Sequence, residues 1–141
     1  MTLLSSPGIA ALCVGAIFQP IAACAEQTSG TAIQLVSFAQ DIAPVLRTRC
    51  AVCHMTGSEP GNLRLYPSAA YDSLVGASSV STGKWLVSAG KPEESYLVHK
   101  IKGTHLEVGG EGSRMPQGQN PLDQEVISLI ETWIGQGAEK N

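Results

Sequence analysis

In "SFAQDIAPVLRTRC" the apolar positions Phe38, Ile42, Val45 and Leu46 recur three to four residues apart, a spacing that predicts a helix delivering Cys50. Ser37 with Gln40 reads as a capping box, and Asp41 is an alternative N-cap. Pro44 either sits in the first turn of a helix starting near Asp41 or kinks one starting at Ser37. The clearest pattern comes last. Val126, Ile127, Ile130, Trp133 and Ile134 make one apolar stripe behind the N-cap Asp123, with Leu122 and Ile127 placed as a hydrophobic staple. Gly135 or Gly137 ends that helix.

Between them the signals are weaker. Residues 57–90 are rich in Gly, Ser and Pro, with a short apolar stretch "NLRLY" and a single helical turn predicted in "SAAYDSLVG". In "KPEESYLVHKI" a helix is expected from Pro92, with Glu93 and Glu94 in its first turn and Lys100 and Lys102 late, matching the helix dipole at both ends. A glycine-loaded loop follows, "GTHLEVGGEGSRMPQGQNP". No β-alternation is sustained over several strands, so the expectation is all-α, with three to five short helices and long loops.

Length and charge narrow this further. A chain of 141 residues is one domain, and with aromatics at only 5% its core is aliphatic and in need of a staple or buried cofactor. The net charge of −3 carries no blocks of one sign, which argues against nucleic acid. Residues 1–25 contain no charged side chain, and the run "GIAALCVGAIF" is too short for a comfortable membrane span. Ala23-Cys24-Ala25 fits a signal-peptide cleavage site with a mature start at Glu26. The same letters fit a lipoprotein signal in which Cys24 is acylated, the one route to a membrane. Both readings lack a basic n-region, and a buried N-terminal helix is the bland alternative. The expected organisation is a signal at 1–25, a polar lead-in at 26–36, one domain at 37–138 and a tail at 139–141. The expected location is periplasmic or otherwise exported.

Of the four cysteines, Cys13 and Cys24 fall in the signal, leaving Cys50 and Cys53 as one close pair within "CAVCHMTG". A thiol–disulfide motif opens a helix within a βαβ pattern, which is absent. Structural zinc needs a second close Cys/His pair, and His99 and His105 lie in different local contexts. A simple disulfide fits poorly on a regular helix. C-x-x-C-H has another logic: each thiol adds across a haem vinyl group, and the histidine that follows binds iron. Cys50, Cys53 and His54 supply all three.

From residue 37 to 138 the chain resembles the single-haem cytochrome c domain, closest to the planctomycete-type branch of that superfamily. The resemblance rests on "FAQDIAPVLRTRCAVCH", "GNLRLY", "SAGKPEESYLVHKI", "RMPQG" and "LDQEVISLIETWIGQGA". It implies a fold in which the first and last helices cross and a Met-Pro loop supplies the second axial ligand, here Met115. Two positions depart from the pattern: Gly61-Asn62 stands for a double glycine, and Glu139 replaces an aromatic after Gly-Ala.

Met55 adjoins His54 and is too near to reach the other face of the ring. A methionine's ordinary fate is to fill a core gap, and His99, His105 or an open iron are the alternatives to Met115. Arg64, Arg114, Tyr66 and Trp85 are candidate donors to haem propionates, and Phe38 with Trp133 is the expected packing at the helix crossing. An iron filled on both faces passes single electrons and holds no substrate. The expectation is thus an exported carrier, or the haem subunit of a periplasmic redox complex, with protein redox partners and no catalysis of its own. The alternative is a labile-ligand haem domain binding CO or NO, or running weak peroxidase chemistry.

Overall fold

The computed structural model describes residues 34–141. The segment expected to be a signal, with Cys13 and Cys24, and most of the expected lead-in lie outside the described residues. Ser37 is the N-cap of the first helical stretch, and its hydroxyl accepts from the Gln40 amide at 3.2 Å. The reciprocal bond comes from Asp41, whose carboxylate accepts from the Ser37 amide at 2.8 Å, in place of the expected Gln40. The cause is a wide π-helical turn, Phe38–Ile42, before α1, Ala43–Arg49. Pro44 has no N–H for the Gln40 carbonyl. Just ahead of it Ile42 and Ala43 donate instead to Ser37 and Phe38, five residues back. Cys50 is the C-cap of α1.

Two short helices follow, α2, Ala70–Leu74, and α3, Tyr96–Lys102. The expected continuous helix from Pro92 is broken. Pro92–Glu94 is a 3₁₀ turn, Ser95 is extended, and α3 begins only at Tyr96. The break follows from long-range bonding. Tyr96 and Leu97 donate to the Trp85 and Leu86 carbonyls, both at 3.0 Å, while buried Ser95 accepts from the Ser88 amide and donates to the Lys91 carbonyl. A second 3₁₀ turn, His105–Val108, precedes α4, Gln124–Gly135. Among the described residues there are only two isolated β-bridges and no strand, so this part of the chain is all-α.

The first and last helical stretches pack together, as the resemblance implies. Phe38 lies 5.4 Å from Trp133 between ring centroids and meets Tyr71 edge-on at 5.1 Å. Trp133, Ile130, Ile134, Ile42 and Leu46 are at most 1% exposed, and Leu122 and Ile127 are buried as the staple requires. Burying each of these aliphatic side chains contributes roughly 1.5–3 kcal/mol. The tail at 139–141 is part of this assembly. Asn141 accepts from the Phe38 amide through its side chain and from the Ala39 amide through its backbone oxygen, satisfying two N–H groups that open the first helix.

Candidate functional site

At the end of α1 the chain closes on itself. The Cys50 carbonyl accepts from both the Cys53 and His54 amides at 3.1 Å, and the His54 carbonyl accepts from Leu65 at 2.8 Å. The Glu59 carboxylate then gathers the Thr56 amide and hydroxyl and the Gly57 amide, at 2.9 to 3.1 Å. The bond from its own backbone amide, joined by these from Thr56 and Gly57, holds the carboxyl down to about 2. Beyond this turn come Gly61 and Asn62, both left-handed at φ +95° and +55°. Asn is among the few L-residues that tolerate this region, which is why it can stand where the resembled family carries a second glycine.

Arg49, Cys50, Cys53, His54 and Pro60 form one wall of a cavity of about 220 Å³. Met115, Pro116, Gln117 and Gln119 form the other. Residues more than fifty positions apart are thus brought together, including the two cysteines, the histidine and the methionine that the sequence singles out. Arg49 ties the walls. Its guanidinium donates to the Gln119 side chain at 3.2 Å and to the Asn120 carbonyl at 3.0 Å. Arg49, Pro60, Gln117 and Gln119 were not singled out from the sequence; the only signal for Arg49 was its place beside Cys50.

The chemistry of these groups suits a covalently held haem. Cys50 and Cys53 are not bonded to each other. Burial, against the opposing charge of Arg49, pushes the Cys50 thiol up to about 11, far from the thiolate that redox exchange requires. Burial, against the opposing charge of Glu59, also lowers the His54 imidazole below its ordinary value, which favours the neutral form with a lone pair to offer. Its Nδ1 is buried with no hydrogen-bond partner. Among the described residues no three His, Cys, Asp or Glu side chains are placed to hold a metal ion, so an all-protein cage of that kind has no donor set there.

The other candidates lie elsewhere. Met55 is 48% exposed and does not line the cavity. His99 is half-buried, and both ring nitrogens are engaged, Nε2 with the Glu93 carbonyl and Nδ1 with the Thr104 hydroxyl. His105 is 3% exposed, with Nε2 on the Gly112 carbonyl at 2.9 Å. Arg64 packs against Gly57, and Trp85 is exposed. Tyr66 is half-buried, its carbonyl taken by the Ala69 and Ala70 amides. Arg114 lies along Gly103 and lines a second, larger cavity of about 510 Å³ that shares Pro116, Gln117 and Gln119 with the first. None of Arg64, Tyr66, Trp85 and Arg114 lines the wall of Cys50 and His54.

No family model matches the chain, and no curated protein sequence does. Among solved structures it is similar to Kuenenia stuttgartiensis hydrazine synthase, at 27% identity and a TM-score of 0.52. The match covers 73% of this chain and 16% of that one.

Proposed function

We propose that this chain carries one covalently attached haem c, ligated by His54 and Met115, and passes single electrons. It does so as a free carrier or as the haem-bearing part of a periplasmic redox complex. The observation that carries the reading is the convergence of Cys50, Cys53, His54 and Met115 on one cavity. When bound, the group supplies a one-electron Fe(III)/Fe(II) couple whose potential follows its axial ligands and surroundings. The chain's residues do the rest. Cys50 and Cys53 give their thiols to two thioethers, and neutral His54 offers its lone pair. Met115 presents a soft thioether from the other wall, while Arg49 holds that wall against α1. His99 and His105 fit the second axial role less well, since each spends a ring nitrogen on a backbone carbonyl and neither lines the cavity.

The partners in this reading are redox proteins. The likeness to a stretch of hydrazine synthase, over 73% of this chain, supports a haem-related redox role. The uncharged run at 1–25 supports export.

The test is a haem stain on a denaturing gel after expression with a haem-attachment system. Wild type keeps the stain and Cys50→Ala/Cys53→Ala loses it; a wild type without stain overturns the proposal. The oxidised protein is expected to show the long-wavelength band of methionine-ligated haem, and Met115→Ala to lose it. Rapid CO binding to the reduced wild type without denaturant would replace the carrier reading with the labile-ligand one.

A further inference from the structure

We propose that Lys100 and His105 are positioning residues for Met115, fixing how firmly its thioether is presented to the cavity; this rests on the haem reading above. The segment from Gly109 to Met115 has no regular structure, and Gly109 and Gly112 are both left-handed. Such loops are ordinarily drawn from the least stable part of a fold. Here consecutive backbone groups are held from α3 and the turn after it. The Lys100 ammonium donates to the Glu111 carbonyl at 2.9 Å and the Ser113 carbonyl at 2.8 Å. The Lys100 carbonyl accepts from the Met115 amide at 2.9 Å. His105 Nε2 meets the carbonyl between them, that of Gly112, at 2.9 Å.

The bonding assigns the histidine's proton. A carbonyl only accepts, so Nε2 carries a hydrogen, and the ring's other nitrogen is Nδ1. That atom is buried without a partner, a cost a neutral filler side chain would avoid. Lys100 is equally committed. Lys91, Lys102 and Lys140 each pair with a carboxylate, whereas the Lys100 ammonium is bonded to two backbone oxygens. Neither residue lines the cavity, so both reach it through the Met115 loop, and the Lys100 ammonium also acts on the His54 imidazole through its charge. Beneath the loop, a Cβ on Gly110 would strike the Tyr96 hydroxyl and come within 2.7 Å of the His105 carbonyl oxygen, which fixes the loop's approach to α3.

The experiment reads amide hydrogen exchange of the full chain and, in the haem-loaded protein, the affinity for added imidazole. Lys100→Met and His105→Leu are each expected to speed exchange of the Met115 amide and to tighten imidazole binding by about tenfold or more, with the Ile130 amide of α4 unchanged. His105→Gln, which keeps a donor of similar reach, is expected to return both readouts to within about threefold of wild type. Both readouts within about twofold of wild type in Lys100→Met and His105→Leu would overturn the proposal. If His105→Leu also opens α4, His105→Asn, whose amide is too short to reach Gly112, makes the same comparison. A wild type without covalent haem would overturn the haem reading instead and leave the Met115 exchange result standing.

Discussion

The two walls of the cavity are built in different ways. The wall of Cys50 and His54 is a run of short-range turns, closed by the Cys50 and His54 carbonyls and by Glu59, with its bonds spanning at most eleven residues. The wall of Met115 has no such closure of its own beyond a turn at 117–118. It hangs from Lys100 and His105 and from Arg49, seventy residues away from Gln119. One wall is closed by bonds among its own residues; the other is held by groups seven to fifteen residues before it and by Arg49 from across the cavity. Perturbations should therefore separate them.

The largest expected effect is the one that erases the difference. Trp133 is 1% exposed, packs on Phe38 and donates from Nε1 to the Glu139 carbonyl at 3.0 Å. Trp133→Ala is expected to cost about 3–5 kcal/mol in denaturant unfolding. Exchange should then rise in both walls together, because the helix that delivers Cys50 begins at Phe38. Opening of the Met115 wall alone would show that the crossing does not support α1.

A smaller change should pick out the second wall. Ser95 is fully buried at the start of α3, which carries Lys100. Ser95→Ala leaves the Ser88 amide without its partner and takes from the Lys91 carbonyl one of its two donors, at about 1–3 kcal/mol. Exchange from Glu111 to Met115 should quicken while Cys53 and His54 stay protected; equal loss in both walls would contradict the division.

The first wall has its own lever in pH. Glu59 titrates near 2 in the fold against an ordinary value of 4.5. A depressed carboxyl contributes stability that is whole above the unfolded value and is lost as pH falls toward the folded one. Acid should therefore loosen Thr56 and Gly57 between pH 4.5 and about 2, and Glu59→Gln should flatten that part of the curve. The exchange of Met115 should not follow it. An unchanged acid limb in Glu59→Gln would place the sensitivity elsewhere.

The same division explains what could be read from the residues. The apolar stripe of α4, the Ser37 cap and the C-x-x-C-H turn depend on neighbours within a few positions, where residue type and spacing carry the information. Asp41 taking the role expected of Gln40 is a one-residue shift caused by Pro44 and the π turn. The break at Ser95 depends on carbonyls at 85, 86 and 91, and the capping of the first helix depends on Asn141. The tethers of Lys100, His105 and Arg49 are likewise invisible to local pattern. A glycine-rich stretch carries no periodicity from which its anchors can be located. The chemistry that makes Arg64, Arg114, Tyr66 and Trp85 candidate donors to haem propionates does not say where the chain puts them.

The smallest expected effect tests the turn that ends the first wall. Asn62 donates to the Glu59 carbonyl at 2.9 Å and is left-handed, directly after left-handed Gly61. For a residue without a short polar side chain this conformation costs about 1–2 kcal/mol. Asn62→Ala should thus lower stability by about 1 kcal/mol, a fall of roughly 4–8 °C in Tm for a domain of this size. Asn62→Gly should stay within a few tenths of wild type, at about the cost of glycine's extra freedom when unfolded. If the turn is as local as its bonding implies, the Asn62→Ala loss should appear first at the Leu65 amide bonded to His54, without quickening exchange at Met115. An equal response at both amides would mean that the walls are coupled through the cavity, and that the local wall leans on the tethered one.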